Sequence, residues 1–65
     1  MFVLLTEMNR GPVFFNFDRV TRFMPTNGIS GAARIEIDDN YFMVKESVEQ
    51  ICGALGVEYK RERST

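Results

Sequence analysis

Phe2-Val3-Leu4-Leu5 and Val13-Phe14-Phe15 put apolar side chains on both faces of any strand they form. Successive residues of a strand point to opposite sides, so Phe2 and Leu4 oppose Val3 and Leu5, and Phe15 and Phe17 oppose Phe14. A 65-residue chain has little with which to cover two faces. Domains of this size bury only ~60% of the surface their unfolded chains expose. They commonly rely on a disulfide, a metal or a partner chain to complete the core. Cys52 is the only cysteine and there is no histidine, so an intrachain disulfide and a Cys/His zinc centre are both ruled out. Oligomerisation is the remaining staple, and the chain is expected to form a homo-oligomer.

Local patterns give a β-β-β-β-β-α order in one domain spanning 1–56. Phe2 to Met8 reads as a strand, closed by a turn at Asn9-Arg10-Gly11, where glycine supplies positive φ. Pro12 has no N–H to donate, so it must open a strand or lie on a sheet edge. Val13 to Phe17 forms the second strand. A corner at Asp18-Arg19 follows, with Asn16 or Asp18 able to bond its own backbone. Val20 to Met24 is a weaker third strand, ended by Pro25-Thr26-Asn27-Gly28, and Gly31 extends that loop. Ala33 to Asp38 alternates apolar and polar at every step, the mark of a half-solvated strand. Asp39-Asn40 is read as the hairpin turn into a fifth strand, Tyr41 to Lys45.

Ser47 and Gln50 have capping-box spacing, and Val48, Ile51, Cys52 and Leu55 make one apolar stripe. Gly56 suits a helix stop. A helix of about nine residues is too short to stand alone in water, so it must dock on the sheet. Residues 57–65 are mostly charged and are expected to form a flexible tail. Links this short favour antiparallel pairing, giving a small antiparallel sheet or a partly closed barrel. One helix covers one face. The interface residues expected on the other are Phe2, Leu4, Phe14 and Met43.

Charge and chemistry narrow the function. Eight basic and nine acidic side chains leave a net charge of −1, without the basic excess of a phosphate-neutralising chain. Nucleic acid is therefore a disfavoured partner; if it binds, Arg10, Arg19, Arg22 and Arg34 are the contacts, beside Phe14 or Tyr41. Arg22 and Glu36 are equally readable as cross-strand partners. Nucleophilic triads need a base, and no histidine exists to serve. Cys52 lies on the helix stripe and reads as a buried small hydrophobe. Asp38 and Asp39 read as a solvated turn rather than an acid pair. No glycine-rich phosphate cradle is present. No catalytic, cofactor or metal residues are assigned, and an enzyme is not expected. No segment reaches the ~20 apolar residues of a membrane span. The apolar start lacks a basic leader and stops at Glu7, so a cytoplasmic protein is expected.

Leu5-Thr6, Asn9, Asn16, Asp18 and Val20, together with Val44-Lys45-Glu46-Ser47-Val48-Glu49-Gln50-Ile51, resemble the small FlbD-like flagellar proteins, the SwrD-type swarming-motility family. That family repeats "LT-x-x-N-G", "N-x-D-x-I" and "V-x-E-S-x-E-E-[IV]" at similar spacings. Here Arg10 separates Asn9 from Gly11, and Asp39-Asn40 stands where the family has a glycine. The resemblance implies a small non-enzymatic bacterial accessory protein with no catalytic residues to carry over. The function expected is thus self-association and protein–protein binding, flagellar or motility related. A small nucleic-acid-binding regulator is the alternative.

Overall fold

A computed structural model describes residues 1–26 and 31–58. It contains five antiparallel strands in one open sheet and a single C-terminal helix. The strands are β1 (Phe2–Glu7), β2 (Gly11–Asn16), β3 (Val20–Pro25), β4 (Ala33–Ile37) and β5 (Asn40–Val44), followed by α1 (Val48–Leu55). Spatial order is β2-β1-β5-β4-β3. The expected element order holds, and the sheet does not close into a barrel. The segment 27–30, with Gly28, and most of the expected tail, 59–65, lie outside the described residues.

Two units make the sheet. The β1–β2 hairpin runs in register from Phe2↔Asn16 to Glu7↔Gly11. Its turn closes through Arg10 N–H to the Glu7 carbonyl (3.1 Å), and Gly11 takes φ 87°. Pro12 sits in an edge strand, where its missing N–H costs no ladder bond. The second unit is the β3-β4-β5 meander. β3 pairs with β4 from Val20↔Ile37 to Pro25↔Ala33, with a bulge between Val20 and Arg22. The β4–β5 turn is Asp38-Asp39, one residue earlier than the expected Asp39-Asn40, and Asn40 already pairs with Ile37. Asp38 adopts φ 56°, which a short polar side chain tolerates.

The units meet at a narrow seam. Glu7↔Val44 is the only β1–β5 register pair. Met8 N–H to the Met43 carbonyl (3.0 Å) and Lys45 N–H to the Thr6 carbonyl (2.9 Å) flank it. β2 and β3 lie at opposite edges of the sheet, yet only Phe17-Asp18-Arg19 connects them. The sheet must therefore curl until those edges approach. The Phe17 and Phe23 rings meet edge to face at 5.7 Å.

The core fills the concave side. Val3, Leu5, Phe15, Ala33, Ile35, Val44 and Ile51 are buried together, with Val13, Phe42, Val48 and Leu55 packed around them. The helix is set as its sequence predicts. The Ser47 side chain accepts from Gln50 N–H, and the Gln50 side chain accepts from Ser47 N–H. Gly56 (φ 77°) ends it: Gly56 N–H reaches the Gly53 carbonyl and Val57 N–H the Cys52 carbonyl. Ile51 and Cys52 face inward, so Cys52 is a buried thiol. No helix among the described residues is long and apolar enough to cross a membrane.

Candidate functional site: the outer face of the sheet

Strand alternation assigns the outer face once the core is placed. With Val3 and Leu5 inside, Phe2, Leu4 and Thr6 of β1 point out, as do Pro12, Phe14 and Asn16 of β2. Leu4 stands directly opposite Phe14. Phe2 is 66% exposed, Leu4 54% and Phe14 64%. Phe2 and Phe14 alone leave roughly 100–160 Å² each open to solvent, if a Phe side chain buries ~150–250 Å². With Leu4 added, the patch falls within the ~300–600 Å² range of the largest patches on single-chain proteins, which are often functional.

Met43, the fourth expected interface residue, lies elsewhere. It shares the outward direction but sits on the meander, opposite Arg34. There it is half-buried and lines a shallow groove with Met24, Pro25, Thr26 and Arg34. The structure thus gathers Phe2, Leu4 and Phe14 and sets Met43 apart.

The meander half of the face is charged. Arg22 stands opposite Glu36 and donates to it at 2.7 Å, the cross-strand partnership readable from sequence. Arg34 Nε lies 3.0 Å from the other Glu36 oxygen, but its N–H is not aimed at that oxygen. That contact is an ion pair without hydrogen-bond geometry. The Arg34 guanidinium also lies over the Tyr41 ring, 4.1 Å from its centre. The Arg22 hydrogen bond holds the Glu36 carboxyl below the ordinary range, against a smaller opposing effect of burial and aided by both arginine charges. The same bond raises Arg22.

Of the four candidate nucleic-acid arginines, Arg10 lies apart from the other three. Arg22 and Arg34 share Glu36, Arg19 pairs with Asp38 at 3.3 Å, and Arg10 occupies the β1–β2 turn. Three of the four therefore already face a carboxylate. Among the described residues, no group of three or more His, Cys, Asp or Glu side chains is placed to hold a metal ion.

One contact escaped sequence reading. Glu46, at the exit of β5, receives Thr6 N–H on one oxygen (2.8 Å) and the Thr6 hydroxyl on the other (2.9 Å). Burial pushes the Glu46 carboxyl up, but the Thr6 bonds outweigh it and hold it below its ordinary value. Thr6 and Glu46 are 40 residues apart, so no local pattern signals the contact.

No protein-family model, curated protein or solved structure matches this chain.

Proposed function

We propose that this chain is a non-enzymatic bacterial accessory module that acts by self-association and protein–protein binding through the outer face of the β1–β2 hairpin. The observation that carries the reading is the continuous Phe2, Leu4 and Phe14 patch, more than half exposed on one side of a well-packed sheet. Phenylalanine, with tyrosine and tryptophan, dominates the energetics of cores and interfaces through the large apolar area each buries. A lone buried thiol suits a reducing, cytoplasmic setting. The likeness of the Thr6 and Glu46 motifs to those of FlbD-like flagellar proteins supports a flagellar or motility-related role.

Solution mass tests it. Sedimentation velocity across a concentration series should show the native chain associating. Leu4→Ser should shift it towards monomer without loss of fold, because the Leu4 side chain lies outside the core. A native chain that stays monomeric at every concentration, or a Leu4→Ser variant of unchanged mass, overturns the proposal.

A further inference from the structure

We infer that the free edge of β1 at Phe2–Leu4 pairs antiparallel with the same edge of a second copy of this chain. This rests on the self-association reading above and gives it a geometry.

Backbone direction comes first. Phe17 N–H donates to the Met1 carbonyl at 2.7 Å. In an antiparallel pair the bonded residues alternate, so Val3, Leu5 and Glu7 bond to β2, while Phe2, Leu4 and Thr6 aim their backbone groups the other way. Thr6 is satisfied there by Glu46 and by Lys45 N–H. The chain then leaves the sheet to begin α1, and Glu7↔Val44 is the only β1–β5 pair. Among the described residues, no strand flanks Phe2 and Leu4 on that side. Their N–H and carbonyl groups form a short open edge that ends at the Glu46 carboxylate.

The outer edges of β2 and β3 are blunted and this one is not. β2 carries Pro12 along its outer rim. β3 has a bulge, a charged Arg22 and Pro25. Charges, prolines and bulges are the usual guards against edge pairing, and Phe2-Val3-Leu4-Leu5 has none of them.

The occupant follows from self-complementarity. A two-fold axis at Val3 sets Phe2 of each copy opposite Leu4 of the other. Each N–H then meets a carbonyl with no third chain required, as an isologous contact demands. Phe2, Val3 and Leu4 carry no charged side chain, and antiparallel pairing puts the two Glu46 carboxylates at opposite ends of the shared edge, so two copies do not repel. Area points the same way. Outer faces stacked through Phe2, Leu4 and Phe14 alone would bury roughly 600–800 Å² in total, short of the ~1,200 Å² at which stable interfaces begin. Edge pairing adds backbone bonds and runs the two apolar patches together across the axis.

Two measurements on the whole chain test this. Amide exchange by NMR should show Phe2 and Leu4 N–H slowed at least tenfold between dilute and concentrated protein. The Thr6 amide, bonded within its own chain, should not change. Separately, Phe2→Cys and Leu4→Cys are each made in a Cys52→Ala background. Oxidation of the mixture should link them, and each alone should link far less, since bonded antiparallel partners lie ~5.5 Å apart at Cα, within disulfide reach. An assembly whose Leu4 amide exchange ignores concentration, with no preferential mixed link, overturns the edge geometry and leaves face-to-face association standing. So does linkage through a Phe14→Cys variant instead. A Leu4 amide already slow in dilute monomer means the edge is covered within the chain and also overturns it. A monomer at all concentrations overturns both readings. If the cysteine variants do not fold, the exchange result on the native chain decides.

Discussion

Glu46 is the residue whose loss should cost most relative to its unremarkable place in the sequence. Its carboxylate holds Thr6 by two bonds, 2.8 and 2.9 Å, and so ties the β1–β2 hairpin to the start of the helix. Hydrogen bonds to a charged group contribute ~1.5–3 kcal/mol each when buried, and an abandoned N–H costs ~1–3 kcal/mol. The site is only part-buried, and water can serve the Thr6 hydroxyl, so Glu46→Ala should cost about 2 kcal/mol in all. A chain of this length is stable by roughly 3–10 kcal/mol, at ~0.05–0.15 kcal/mol per residue. Melting should fall by roughly 8–16 °C, at ~4–8 °C per kcal/mol for a domain this small. Glu46→Gln keeps an acceptor for Thr6 N–H and loses only the charge, so about 1 kcal/mol is expected.

Acid titration separates the charge from the packing. The Glu46 carboxyl lies below its ordinary value in the folded chain: burial raises it, and the Thr6 bonds lower it further. A depressed folded-state value gives stability that is complete above the unfolded carboxyl value of ~4.3 and is lost as pH falls through the lower folded value. The native chain should therefore exceed Glu46→Gln by a constant margin from neutral pH down to about 5, and the margin should shrink as pH falls below the unfolded value. Glu36 is also depressed, by Arg22, but it is present in both chains and cancels. Urea unfolding at fixed protein concentration is the assay, because association shifts apparent stability. A Glu46→Ala cost under ~0.5 kcal/mol, the size of an ordinary surface change, would refute the reasoning, as would a margin that persists in acid.

Ile51→Ala removes a fully buried side chain at the centre of the helix–sheet contact and should cost ~2–5 kcal/mol by urea unfolding, enough to unfold much of the population. Two helix glycines should respond with opposite signs in thermal melts. Gly56→Ala forces a Cβ into φ 77° and should lower stability by about 1–2 kcal/mol, although nothing crowds the site. Gly53→Ala, exposed inside the helix with open space at its Cβ, should raise stability by about 0.5–1 kcal/mol.

Local chemistry was legible in the sequence, and long-range pairing was not. The helix boundaries follow from Ser47, Gln50 and Gly56 because capping is settled within a turn of chain. The β4–β5 turn slipped by one residue because Asp38, Asp39 and Asn40 all tolerate a left-handed backbone. Packing made the choice, setting Phe42 opposite Ile35 on the core side. Nothing local announced that β1 would lie beside β5, so Thr6 and Glu46, 40 residues apart, could not be paired from pattern alone. The same gap separates the interface residues. Phe2, Leu4 and Phe14 follow from two-faced apolarity within one hairpin, whereas the surroundings of Met43 depend on strand order. Arg22–Glu36 was readable as a cross-strand pair, and Arg19–Asp38 needed the β3–β4 register, in which the two stand just beyond Val20↔Ile37.

The apolar patch lies on the less securely tethered of the two units. The meander is internally continuous, and the hairpin joins it through one register pair, two flanking backbone bonds and the Thr6–Glu46 contact. Packing of Val3, Leu5 and Phe15 into the common core carries the rest of that attachment. A partner that grips Phe2, Leu4 and Phe14 binds the hairpin only where it is folded against the core. By linkage, such binding stabilises the whole domain in proportion to partner concentration. Loosening the seam by Glu46→Ala should conversely weaken association, although Glu46 lies on neither the patch nor the open edge. The two effects share one cause: the surface exists only while the hairpin is docked.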